Sequence, residues 1–308
     1  FIEQPVGVGF SYSTTPSAYI NVGDDDAAAL NYQLILQFLE RFPQYQPNDF
    51  YISAESYGGH YMPTLAKYIV DSGAIDSGAI NFKGFAVGNP YTDPVENMIG
   101  SIDTLYGHAM VPEPTYSNWR ELCRNGQDQT GACALLQAKL MYQFPGNVNP
   151  YALDYPVCLE DDAAKKGHRR SGSNKLSRYQ LRVAMGHVLP KVKGDLKRAY
   201  EAVTGLPGDP EDYEPCEANY ALDYLNRADV VEAIHANPSI PWLECSGKTP
   251  YGTLVYNYTW SEVYMEPYYQ YLLESGANLK ILVFSGDDDS VCGTVGTQSW
   301  IYDLGYPI

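Results

Sequence analysis

Residues 51–59 of this chain read YISAESYGG, an extended stretch that runs into Ser56 and then into a helical pattern. A serine on a tight turn between a strand and a helix has the layout of a nucleophile elbow. The residues two before and two after such a serine have to be small, because larger side chains would collide. Ala54 and Gly58 meet that requirement. The helix expected from Tyr57 to about Val70 turns its positive end toward the serine, where an oxyanion would develop. A serine hydroxyl is a poor nucleophile until an imidazole takes its proton and a carboxylate holds that imidazole in the right tautomer. The carboxylate is expected from a loop at the C-terminal end of a later strand, and Gly286-Asp287-Asp288-Asp289 follows the apolar run 279–285.

The histidine is the missing part. With the elbow first and the acid second, the base has to follow the acid in the chain. His60, His108, His168, His187 and His235 all precede Asp289. His60 lies one helical turn beyond Ser56 and is expected to be a packed or hydrogen-bonded histidine.

Four segments extend the pattern. Residues 1–13 read FIEQPVGVGFSYS, 53–63 read SAESYGGHYMP, 82–94 read FKGFAVGNPYTDP, and 281–292 read ILVFSGDDDSVC. In this order the chain resembles the serine carboxypeptidase family, and the likeness runs over nearly its whole length. Where the family usually has Gly before Glu-Ser-Tyr, this chain has Ala54. The resemblance implies an α/β-hydrolase fold: a mostly parallel central sheet flanked by helices, with a disulfide-containing cap insertion. The core would occupy 1–95 and 216–308, and the cap 96–215. Ser56 would be the nucleophile and Asp289 the triad acid, with Asp287 and Asp288 structural. The Tyr57 N–H would supply one oxyanion donor, the second coming from a Gly-rich segment upstream of Phe1. Glu55 would read the substrate's terminal carboxylate. Disulfides Cys123–Cys133 and Cys158–Cys216 are implied, with Cys245 unpaired and Cys292 a free thiol beside the active site. No metal or organic cofactor is implied. The substrate would be the C-terminus of a peptide or protein, and the location secreted or vacuolar/lysosomal. Residues 186–190 (GHVLP) resemble the segment around the family's catalytic base, but His187 falls in the expected cap, before the acid. We therefore expect the base beyond Ile308, and a chain that lacks both ends of the full protein and is close to inactive by itself. An acyltransferase or esterase using the same triad, and a non-catalytic relative without the base, stay open as alternatives.

The chain has 308 residues with 37 acidic and 20 basic side chains. That balance argues against nucleic acid as a partner; it suits an acidic compartment or simple solubility. No run of about 18 apolar residues is present, so no membrane span is expected. Six cysteines fit an oxidising compartment. Asn257-Tyr258-Thr259 is a glycosylation sequon.

The elements that must position these residues are legible as patterns. Three aspartates, 24–26, precede Leu30, Leu34, Ile35, Phe38, Leu39 and Phe42 at helical spacing, and Pro43 stops that helix. Strands are expected at 50–53, 82–87 and 279–285, the last preceded by a helix over 267–275, as in a βαβ unit. Residues 71–80 repeat DSGAI twice, a loop duplication. Between about 91 and 215 the strand–helix rhythm is lost, and eleven of the twenty Lys and Arg fall in 165–198. Residues 165–175 read as a polar solvated loop, with proteolytic processing as the rival reading; resistance of the folded protein to trypsin there would exclude processing.

Overall fold

The computed structural model describes residues 1–123, 132–133, 135–136, 140, 148–155, 217–245, 249–257 and 264–307. Five strands are present among them: β1 (Ile20–Val22), β2 (Phe50–Glu55), β3 (Phe82–Gly88), β4 (Val255–Tyr256) and β5 (Lys280–Phe284). The helices are α1 (Asp24–Arg41), α2 (Gly58–Asp71), α3 (Pro94–Gly107), α4 (Glu113–Leu122), α5 (Glu217–Leu225), α6 (Ala228–Ala233), α7 (Glu266–Glu274) and α8 (Thr294–Asp303).

Strands β2, β3 and β5 form a parallel sheet in that order, and β1 pairs with β4 in a second parallel pair. Parallel neighbours need crossover connections, and α2 and α7 supply helices on the way into β3 and β5. β3 is the central strand and reads accordingly: Phe82, Phe85 and Val87 are buried. Leu65, Ala66 and Ile69 of α2, Tyr269 and Leu272 of α7, and Trp300 of α8 complete one apolar cluster with them.

Of the six apolar residues spaced along α1, Ile35 and Leu39 are buried, together with Ala27, Ala28 and Asn31, while Leu30, Leu34, Phe38 and Phe42 are exposed. Both sets keep helical spacing, so periodicity alone does not choose between them. The small residues face inward and let α1 pack closely on α2. Phe38 instead makes ring contacts with Phe42 and Tyr45 on the outside. Phe1 is exposed and lies outside any strand.

The chain divides into two compact units, residues 1–144 with 225–308, and residues 145–224. The sequence expectation puts the divisions at 96 and 215. Helix α3 accounts for much of the difference, because it packs against α8 in the first unit. A β-carbon on Gly296 would lie 2.2 Å from the carbonyl oxygen of Glu96, and one on Gly100 would lie 2.6 Å from Gly296 N. The two helices touch backbone to backbone, which only glycine at these positions permits. Cys123 and Cys133 are disulfide-bonded, with Cα atoms 5.2 Å apart. Cys158, Cys216, His168, His187 and the basic stretch 165–198 lie outside the described residues. No described helix is long and apolar enough to cross a membrane.

Candidate active site

The register of the sheet brings the site together. Glu55 pairs with Gly88, and Gly88 pairs with Phe284, so β2, β3 and β5 end side by side. The next residues are Ser56, Asn89 and Ser285. Two further bonds extend the ladder past the strands: Ser56 N donates to Gly88 O at 3.0 Å, and Asn89 N donates to Phe284 O at 2.8 Å.

Ser56 has φ 58°, in the left-handed region, which costs a non-glycine residue on the order of 1–3 kcal/mol. The turn is held on both sides. The Ser56 carbonyl accepts from Gly59 N at 3.0 Å and from Tyr91 N at 2.8 Å. A β-carbon on Gly58 would lie 2.4 Å from that of Ala54, so the small-residue requirement is a real contact here. With glycine at 58, alanine at 54 fits. Ser56 is partly buried, and Tyr57 is the residue before α2.

Tyr57 is anchored through its ring. Its hydroxyl donates to Asp24 Oδ2 at 3.3 Å, and Tyr256 OH donates to Asp24 Oδ1. Asp24 is buried at the N-terminus of α1, where the helix dipole favours a carboxylate. Burial, followed by the bond to Asp24, pushes the Tyr256 phenol up. The Tyr57 ring stacks on His60 with centroids 4.6 Å apart.

Asp289 is buried and well supplied with donors. Oδ1 accepts from Val291 N at 2.7 Å; Oδ2 accepts from Asn89 Nδ2 at 3.0 Å and Cys292 N at 3.3 Å. A carboxylate has about four acceptor positions, so three are used and one is left for an imidazole N–H. Asn89 is the site residue that sequence reasoning missed. It has φ 38°, and its amide also donates to Gly286 O and accepts from Gly286 N. Asparagine tolerates the left-handed region better than most residues, so Asn89-Pro90 at the end of an apolar strand was a usable signal.

Cys292 connects the two halves. It is buried, its N–H bonds Asp289, and its thiol lies near the Ser56 side chain. Burial first, then the Asp289 and Glu55 carboxylates, push the thiol up to about 12. It is a neutral thiol at ordinary pH and does not compete as a nucleophile. Glu55 also has a raised pKa, from desolvation first and the Asp289 charge second. Cys245 is exposed and unbridged, as is the side chain of Asn257 exposed.

Three histidines are described. His60 is buried, with Nδ1 2.7 Å from Tyr91 O; since a carbonyl only accepts, Nδ1 carries the proton. His108 caps α3, bonding Thr104 O, and its Nε2 is 3.7 Å from Asp288 Oδ1. His235 follows α6 with φ 57°. None of them bonds Asp289, whose donors among the described residues are the three named above.

A family model described as serine carboxypeptidase matches residues 1–308. The chain belongs to the serine carboxypeptidase family. Its relatives include serine carboxypeptidase-like 26 of Oryza sativa subsp. japonica, 32% identical over 316 residues, which covers 100% of this chain and 59% of that protein. Serine carboxypeptidase 24 of Arabidopsis thaliana is 33% identical, covering 100% of this chain and 60% of that protein. The chain thus spans about three fifths of the length of these carboxypeptidase relatives. Among solved structures, Kex1(delta)p, a prohormone-processing carboxypeptidase from Saccharomyces cerevisiae, superposes with a TM-score of 0.62 at 17% identity, covering 99% of this chain and 59% of that one. That likeness establishes the α/β-hydrolase fold, as the parallel sheet and its flanking helices require.

Proposed function

We propose that the full protein is a serine-type carboxypeptidase that releases C-terminal residues from peptides through an acyl-enzyme on Ser56. The observation that carries this reading is the strand register, with Ser56 and the Asn89–Asp289 pair following the C-terminal ends of adjacent strands and Cys292 N–H bonded to Asp289. The Ser56 hydroxyl attacks the last peptide carbonyl and gives its proton to an imidazole, which Asp289 orients through its remaining acceptor position. The same imidazole protonates the departing amino acid, and water then cleaves the ester. In this fold the base follows the acid in the chain. The Tyr57 N–H takes part of the oxyanion charge, and no cofactor enters. Loss of the base from a triad costs on the order of 10⁶ in turnover.

Glu55 selects the substrate's end. A protonated carboxyl donates to a carboxylate, whereas an ionised one repels it. Desolvation and the Asp289 charge favour the protonated form of Glu55, so peptide cleavage is fastest at acidic pH. Family membership and the cysteine content suit a secreted or vacuolar/lysosomal location.

The test is hydrolysis of an N-blocked dipeptide by the complete open reading frame, with and without an alcohol or amine acceptor. Release of the free C-terminal amino acid, lost in Ser56→Ala, is the expected result. Transfer to the acceptor without hydrolysis would mark an acyltransferase, and no turnover of peptide or ester would leave a non-catalytic relative.

A further inference from the structure

His60 is buried, it is not part of the proposed triad, and it stands directly behind the nucleophile. Its Nδ1–H donates to Tyr91 O at 2.7 Å, and the N–H of that same Tyr91 donates to Ser56 O at 2.8 Å. The imidazole makes ring contacts with two tyrosines, 4.6 Å from Tyr57 and 5.5 Å from Tyr91 by centroid, each within 26° of parallel, and those two rings lie 6.3 Å from each other. Nothing can replace Gly59 beside it without conflict: a β-carbon there would lie 2.4 Å from Tyr91 O.

The geometry has a mechanical meaning. The Ser56 carbonyl and the Tyr57 N–H belong to one planar trans peptide, so they point in opposite directions. Fixing the direction of the carbonyl fixes that of the N–H. The Tyr91 N–H holds the carbonyl from behind, and His60 holds the carbonyl on the other side of the Tyr91 Cα, fixing that residue from its next peptide, while its ring also contacts the Tyr57 side chain. We propose that His60 is a positioning residue: through Tyr91 it sets the tilt of the Ser56–Tyr57 peptide, and so aims the oxyanion donor and the serine together. The inference rests on the reading of Ser56 as nucleophile and Tyr57 N–H as oxyanion donor.

An oxyanion donor acts in the transition state and little in the bound ground state. Misaiming it therefore lowers kcat and leaves KM nearly alone. Complete loss of one donor costs about 10²–10³ in kcat, and a tilt costs a fraction of that.

The experiment compares His60→Asn and His60→Gln in the complete protein. Asparagine places its amide N–H where Nδ1 stands, whereas glutamine places it where Nε2 stands. Both lose the ring stack, so the difference between them isolates the bond to Tyr91 O. We expect His60→Gln to lower kcat for a blocked dipeptide about tenfold or more, with KM within about twofold. His60→Asn should recover most of that loss, and the rate of Ser56 labelling by a fluorophosphonate should follow the same order. Equal kcat in the two variants, or a change in melting temperature alone, would overturn the proposal. So would a rise in KM at constant kcat. Should His60→Gln not fold, His60→Asn decides against Tyr91→Pro, which removes the N–H to Ser56 O: kcat must survive in the first and fall in the second. A wild-type protein with no Ser56-dependent turnover would instead overturn the functional reading itself, and the positioning role with it.

Discussion

At the scale of single residues, few atoms orient Asp289. Among the described residues, Asn89 Nδ2 is the only side-chain donor to that carboxylate; the other two are backbone N–H groups. Asn89→Ala should therefore let the carboxylate turn without removing it. We expect kcat to fall about tenfold to a hundredfold with KM little changed, the size of effect that a misplacement near 1 Å produces. Steady-state kinetics on the complete protein checks this, and an unchanged kcat would show that the backbone donors suffice. Glu55→Gln should retain peptide cleavage and flatten its decline with rising pH, because the amide stays a donor at every pH. The sign follows from the raised pKa: protonated Glu55 is the active form, and activity on peptides falls as pH climbs through its folded value. A wild-type pH profile in the mutant would remove this role. The serine and the acid were legible because the elbow and the strand-end loop constrain residue type as well as spacing. Asn89 was not read, because its contribution is made across 200 positions of sequence through a loop conformation.

At the scale of elements, the elbow depends on β2 and α2 meeting at a contact with no room for two methyl groups. Gly58→Ala should cost about 3 kcal/mol through overpacking. The double variant Ala54→Gly/Gly58→Ala should recover most of that, since the clash is between the β-carbons of 54 and 58, and the next neighbour, Val87 Cγ2, is at 3.7 Å. Urea denaturation of the three proteins measures it; a double variant no better than the single would place the strain elsewhere. Strands β2, β3 and β5 and helices α2 and α7 were each readable to within two residues. Their boundaries are set by local signals: a β-branched run, a proline, an elbow. The inward face of α1 was not readable. Two stripes of equal periodicity compete there, and the small one wins because Ala27 and Ala28 permit the close approach to α2. The packing of α3 on α8 was unreadable for a similar reason. Glycines at 100 and 296 bind α3 to α8 through a backbone contact that no sequence period announces.

At the scale of the whole molecule, charge and pH come forward. Glu266, at the start of α7, has its pKa raised to about 7 by burial first and by the nearby Asp93 and Glu96 carboxylates. Met265 N donates to Thr92 O at 3.1 Å, and Asp93 caps α3, so this carboxyl adjoins the loop that carries Asn89 and Tyr91. The folded value lies above the unfolded one near 4.5, so the folded state binds this proton more tightly. Its contribution is complete below about pH 4.5 and is lost as pH rises toward 7, in a window that suits an acidic compartment. Because Glu266 is only half-buried, solvent screening reduces the loss to roughly 1–2 kcal/mol. Glu266→Gln should raise the melting temperature at pH 8 by several degrees and leave it unchanged at pH 4. Calorimetry at both values checks this, and parallel curves for mutant and wild type would contradict it.

The most direct measurement is to treat the complete protein with a fluorophosphonate and map the adduct by peptide mass spectrometry. A single adduct on the peptide containing Ser56, absent from Ser56→Ala, is what the account predicts. An unmodified Ser56, or a phosphonate carried by any other serine, would contradict it.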